Sequence, residues 1–288
     1  MGKSVIALVA VAAALVAPSS LAQVVLSKSV FHMVDLPSNT IRSVLVSCPR
    51  GYVAASAGIS NPAPGVTLLS IRPWGVAGYR FRFGNPAANA DQQVTVVAAC
   101  RSLAFKSAAR LKVAQVQMRV KVPGGQLKPA ALPCPSNTLP AGWGGDIAPA
   151  HSAPGSVPGA ATRTSLRTVS MGLGGFSFSL RNTGTKAQSV ILYGTCLTAL
   201  RPAGTSRGRL QVRITTFPVL LQPGSRRVVR SCATGWVSLA AGYVLRSPAT
   251  TIDGAAAIGA SGRWWVASDA EGQAAADLKL VCARLSVN

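Results

Sequence analysis

Acids and histidine are what this chain has least of. Its 288 residues hold 7 Asp and Glu against 29 Lys and Arg, with 2 His and a formal net charge of +22. Acid–base catalysis needs titratable groups set side by side. The acids are Asp35, Asp91, Asp146, Asp253, Asp269, Glu271 and Asp277, and only Asp269 and Glu271 are close in sequence, in a turn. A Ser-His-Asp or Cys-His arrangement would have to use His32 or His151, and neither has a G-x-S-x-G motif beside it. No two cysteines have the C-x-x-C spacing of a zinc or redox site. The glycine runs Gly142 to Gly145 and Gly172 to Phe176 lack the Gly-Lys-Ser/Thr ending of a phosphate loop. These absences argue against an enzyme, a metal centre or a bound cofactor. Long apolar runs are missing too. After the first 22 residues nothing approaches the ~20 consecutive apolar residues of a membrane-spanning helix.

Those first residues are themselves informative. Lys3 provides a positive start, Val5 to Ala17 an uncharged apolar run, and Ser20-Leu21-Ala22 the small residues of a cleavage site. Residues 1–22 therefore read as a secretory signal. The sequence predicts a secreted protein, with an extracellular, cell-surface or periplasmic address. The even set of six cysteines (Cys48, Cys100, Cys134, Cys196, Cys232 and Cys282) then reads as a disulfide framework. A composition rich in Val, Thr, Ser, Gly and Pro favours short strands and turns.

Aligned on the cysteines, the chain repeats itself three times. The segments Tyr79 to Cys100, Phe176 to Cys196 and Trp264 to Cys282 each hold an aromatic-led strand, a polar turn and a second strand that delivers a cysteine. The segments after Cys48, Cys134 and Cys232 each place a glycine ten residues on, at Gly58, Gly144 and Gly242. A turn precedes each of these cysteines, at Pro37-Ser38-Asn39, Pro123-Gly124-Gly125 and Pro223-Gly224-Ser225. Repetition at this depth outranks any isolated motif. The simplest connectivity is internal to each copy, Cys48–Cys100, Cys134–Cys196 and Cys232–Cys282, each loop worth roughly 4 kcal/mol of chain entropy. Two cysteines so spaced on separate strands resemble the inter-sheet pairing of immunoglobulin-like sandwiches, although no tryptophan follows Cys48 or Cys134 at the expected distance. The resemblance implies an all-β chain of three tandem, disulfide-stapled β-sandwich-like repeats at 23–108, 109–205 and 206–288. The alternative is a single three-lobed fold with pseudo-threefold symmetry. Lys106 to Lys112 and Arg201 to Arg209 read as linkers, and Ala148 to Thr168 as a variable excursion.

Function is carried by charge. Arginine's planar fork suits phosphate, sulfate and carboxylate groups. One cluster is Arg201, Arg207, Arg209 and Arg213, and another is Arg226, Arg227 and Arg230. In the first copy Arg72, Arg80 and Arg82 interleave with Trp74, Tyr79, Phe81 and Phe83, and a strand there would put Tyr79, Phe81 and Phe83 on one face and Arg80 and Arg82 on the other. The expectation is a non-enzymatic protein whose partner is an anionic polymer or surface: nucleic acid, acidic glycan, lipopolysaccharide or mineral. The alternative is a structural subunit of an extracellular filament, sheath or coat that self-associates, with the strand Val24 to Val34 adding to a neighbour's sheet edge.

Overall fold

Period-two alternation writes the strands. In Gly78–Asn85 the side chains of Tyr79, Phe81 and Phe83 are buried while Arg80 and Arg82 are half-exposed, and Ser261–Ser268 alternates in the same way around Trp264 and Val266. The computed structural model describes residues 25–63, 65–86, 90–103, 110–147, 164–200, 208–247, 250–268 and 274–287. The leader expected at 1–22, His151, the Asp269/Glu271 turn, Arg201 and Arg207 lie outside them, as does most of the excursion.

Six strands recur three times. The first set is β1 (Val25–Leu36), β2 (Thr40–Ser47), β3 (Val53–Asn61), β4 (Thr67–Trp74), β5 (Gly78–Asn85) and β6 (Gln92–Leu103). The second is β7 (Arg110–Val122), β8 (Leu127–Pro133), β9 (Leu139–Asp146), β10 (Thr164–Gly172), β11 (Gly175–Asn182) and β12 (Gln188–Leu200). The third is β13 (Gly208–Leu221), β14 (Gly224–Ser231), β15 (Val237–Leu245), β16 (Thr250–Ile258), β17 (Ser261–Ser268) and β18 (Ala274–Val287). The protein is all-β, and no helix among the described residues is long and apolar enough to cross a membrane.

Within each set the sixth strand pairs with the first and third, and the fifth with the second and fourth. Each repeat therefore supplies two three-stranded half-sheets. The disulfides Cys48–Cys100, Cys134–Cys196 and Cys232–Cys282 tie the end of the second strand to the sixth, with Cα atoms 5.6–5.8 Å apart. In the first repeat Val34, Leu36, Ile59, Phe81, Phe83, Val94 and Val96 fill the space between the half-sheets. A second, larger core runs without a break through the other two repeats around Phe176, Phe178, Leu192, Leu239, Trp264 and Leu280.

The half-sheets do not stop at the repeat boundaries, and this corrects the expectation of tandem immunoglobulin-like units. β4 pairs with β9 and β10 with β15, giving two six-stranded sheets, β7-β12-β9-β4-β5-β2 and β13-β18-β15-β10-β11-β8. The remaining halves, β1-β6-β3 and β14-β17-β16, are separate three-stranded sheets, and β16 lies against β3. Set edge to edge they reproduce the strand order of the six-stranded sheets. Four hydrogen-bonded sheets thus form a propeller-like array in which neighbouring repeats share sheets.

The repeat glycine explains why the sharing works. A methyl group on Gly58 would collide with the Ala255 carbonyl, one on Gly144 with that of Ile71, and one on Gly242 with that of Val169. In every case the clash is with the fourth strand of another repeat. Only glycine lets the two backbones approach so closely. Two sets of β-bulges also recur. The third strands skip Ala55, Ala141 and Leu239, all buried, and the fourth strands skip Leu69, Arg167 and Asp253.

Between the first and last repeats, where no ladder joins β3 to β16 among the described residues, a buried cation makes the connection. Arg101, on β6, is 0% exposed; its Nε donates to the Ser238 carbonyl at 2.9 Å, Nη2 donates to the same oxygen, and Nη1 donates to the Cys100 carbonyl at 2.9 Å. Burial holds its pKa down to about 10, because these acceptors are uncharged and water is excluded. Leu197 and Ala283 occupy the equivalent positions of the other repeats and are also buried.

Two outcomes are expected. Gly144→Ala should cost about 1–3 kcal/mol through overpacking, while Gly172→Ala, whose methyl meets nothing within 4 Å, should change stability by less than ~0.5 kcal/mol. Urea midpoints of the two variants compare them directly, and equal shifts would count against the close seam. Burial also raises the pKa of Tyr79, whose hydroxyl shares a 2.5 Å hydrogen bond with Thr195 Oγ1, and that of Tyr243. Both keep their protons after an unfolded chain has lost them. The stability they contribute is complete below the ordinary tyrosine value of 10.0 and falls as pH rises above it. Denaturation midpoints from about pH 9 to about pH 11 should decline in the native protein and decline less in Tyr79→Phe.

Candidate functional site

The sheet that the first two repeats share presents a cationic outer face. Its inner face is fixed by Ile71, Phe81, Phe83, Val120, Val190 and Leu192, all buried, so alternation sends their neighbours outward. On β5 these are Arg80 and Arg82, paired across to Arg72 and Ser70 on β4. Register then carries the face across the repeat boundary: Ser70 opposes Asp146 of β9, Asp146 opposes Ile191 of β12, and Tyr193 opposes Gln117 of β7. Arg119 and Lys121 on β7 continue it and are exposed.

At one end of this face, where β4 turns into β5, stands Trp74, 44% exposed. The Arg80 guanidinium lies 3.7 Å from its ring centroid and that of Arg72 5.4 Å. Contact with the indole orients both guanidiniums, an interaction worth about 0.5–1 kcal/mol at exposed sites. Arg72 also hydrogen-bonds the Tyr193 hydroxyl, whose pKa is raised by burial first and by Asp146 next. Asp146 is the one acid in this group. Burial raises its pKa, and the charges of Arg72 and then Arg82 pull it back. The arrangement can bind an extended anion and offers an aromatic surface beside it. Among the described residues no three His, Cys, Asp or Glu are grouped to hold a metal.

The other sequence clusters fare differently. β14 alternates, so Arg226 and Arg230 lie on the side of buried Val228 while Arg227 lies on the opposite side with Val229. Arg226 donates to the Leu220 carbonyl, and Arg230 sits 5.9 Å from the Phe217 ring. These three arginines do not form one face. Arg213 is on β13, opposite Cys282. Arg209 is on the same strand, but its side chain is outside the described residues, like Arg201 and Arg207. Of the expected arginines among the described residues, Arg80 and Arg82 come together on this face with Arg72, which the sequence also singles out, and the structure adds Arg119, Lys121, Asp146 and Tyr193 to them. Asp146, Arg119, Lys121 and Tyr193 belong to the second repeat, and nothing in the sequence announces that its strands join the first repeat's sheet.

No family model matches the chain, and no curated protein matches it in sequence.

Asp146 gives a direct check on this geometry. Its carboxyl should titrate above 3.8, and in Arg72→Met it should move higher still, because one of the two charges favouring the carboxylate is gone. A carbon-detected NMR titration follows both. A midpoint that drops on removing Arg72 would exclude the proposed neighbourhood.

Proposed function

We propose that this is a secreted, non-enzymatic protein that binds polyanions through the outer face built on Arg72, Arg80 and Arg82. The observation that carries the reading is the pair of guanidiniums stacked on exposed Trp74. Arginines spaced about 4.8 Å apart across strands and about 6.8 Å along one strand can meet successive charged groups of a polymer at once. Each pairing releases condensed counterions, so binding weakens steeply with salt. The overall charge of +22 favours the same class of partner. The three disulfides fit an oxidising compartment, which supports export. The three-lobed, pseudo-threefold reading of the fold belongs to the same proposal, supported by the equivalent bulges and glycine contacts.

A second reading has its own observation. Among the described residues β1 pairs on one side only, with β6, and it exposes Phe31 at 50% and Met33 at 63%. An open edge with exposed apolar side chains suits addition to a neighbouring copy's sheet in a filament or coat. Light scattering and electron microscopy separate the readings: ordered polymers favour the second, salt-sensitive monomeric binding the first.

Elution from heparin resin tests the leading reading. Arg72→Ser/Arg80→Ser/Arg82→Ser should elute at clearly lower salt. For a single-stranded oligonucleotide, the slope of log affinity against log salt should fall by about 0.7 for each phosphate that is no longer neutralised. Asp146→Asn, which removes the face's acid, should elute later than the native protein. Unchanged elution of the triple variant would sink this assignment of the face.

A further inference from the structure

A second site lies where the three repeats converge. The ends of the third strands (β3, β9 and β15) and the starts of the fourth (β4, β10 and β16) enclose a cavity of about 670 Å³. That volume is in the range of small-molecule sites. It lies on the inner side of the sheet whose outer face is cationic, Ile71 and Phe83 being common to its wall.

The symmetry of the repeats makes the lining informative. Where packing alone decides, equivalent positions carry the same residue, as at Gly58, Gly144 and Gly242. At the cavity they diverge. Trp143 stands where the other repeats have Ala57 and Ala241, and Tyr243 where they have Ile59 and Gly145. These two rings meet edge to face at 6.1 Å, and Trp143 Nε1 is committed to the Ala241 carbonyl at 2.9 Å. The Tyr243 hydroxyl donates to the Leu166 carbonyl at 3.4 Å, so the cavity meets an aromatic floor whose two polar atoms both have partners. Phe83, Trp265 and several aliphatic side chains complete an apolar wall.

The fourth-strand bulges supply the polar groups. Their extra residues are Leu69, Arg167 and Asp253, apolar, cationic and anionic at three equivalent places, and the latter two line the cavity. Bulges re-aim a side chain and gather beside binding sites. Arg167 is anchored by Nη1 donating to the Thr250 carbonyl at 2.7 Å and Nη2 to the Ser247 carbonyl at 2.5 Å. These bonds use Nη1 and Nη2 once each and hold the guanidinium in place at the cavity. Arg181 adds a second positive charge nearby.

We infer that this cavity binds a small apolar carboxylate, its hydrocarbon or aromatic body on the Trp143/Tyr243 floor and its carboxylate on Arg167. An anchored guanidinium loses little freedom on binding, and a carboxylate matches its fork.

Dodecanoate and 2-naphthoate are the probes, with calorimetry and tryptophan fluorescence as readouts on the full chain. One of them should bind saturably at one equivalent per chain and at least tenfold more tightly than its methyl ester. Arg167→Met should remove that tenfold preference while still binding the ester. Val66→Trp, at the cavity wall, should abolish both. Arg80→Ser/Arg82→Ser should bind the acid as the native protein does, so failure of the polyanion reading and failure of this one are distinguishable. No saturable binding of either acid overturns the inference. So does equal affinity of acid and ester for the native protein, a comparison that needs no variant to fold, and so does full binding by Val66→Trp.

Discussion

Everything in this fold depends on how closely two backbones can approach at three equivalent seams. A β-sheet continues from one repeat into another only if the third strand of one lies flush with the fourth strand of another. Side chains at Gly58, Gly144 or Gly242 would hold those strands apart. Their absence turns three units that could have been independent sandwiches into one body with shared sheets. The rest follows from that close approach: a continuous core through the second and third repeats, a cavity at the convergence point, and an outer sheet face to which two repeats contribute.

The seams are not identical, and the difference falls between the first and last repeats. Two seams are closed by ladders, β4 with β9 and β10 with β15. At the third, Arg101 reaches across to Ser238. A guanidinium without water or a carboxylate is an expensive element, and its depressed pKa records that cost. Its value here is directional: it reaches a carbonyl 137 residues away in sequence, a bond that neither leucine nor alanine at the equivalent positions could make.

Much of this was legible in the sequence, and the boundary is instructive. Strands, turns and cysteine pairing are local or are set by the repeat, so alternation around Tyr79 and Phe81 and the equivalence of the three copies sufficed to place them. Gly58 and its equivalents were visible as anchors, but not their reason, which is the carbonyl of a residue in another repeat. The same limit explains the site. Arg80 and Arg82 share a face because they are two apart on one strand, whereas Tyr193 and Asp146 join them through pairing between repeats. Arg226, Arg227 and Arg230 look like a cluster in sequence and are divided by the pleat. The cavity residues Arg167 and Asp253 were hidden because a bulge is a property of two paired strands, not of one.

The order of the cysteines along the chain carries a final consequence. Each disulfide joins one cysteine to the next in sequence, Cys48 to Cys100, Cys134 to Cys196, Cys232 to Cys282. A chain threading through a membrane with its N-terminus leading would present its thiols in their native partnerships, two at a time. Oxidation in order of emergence would then yield the finished bonds with no reshuffling, each repeat being cross-linked before the following one arrived. Only the joint between first and last lobes must wait for the whole chain, and it is held by an arginine, which needs no oxidant.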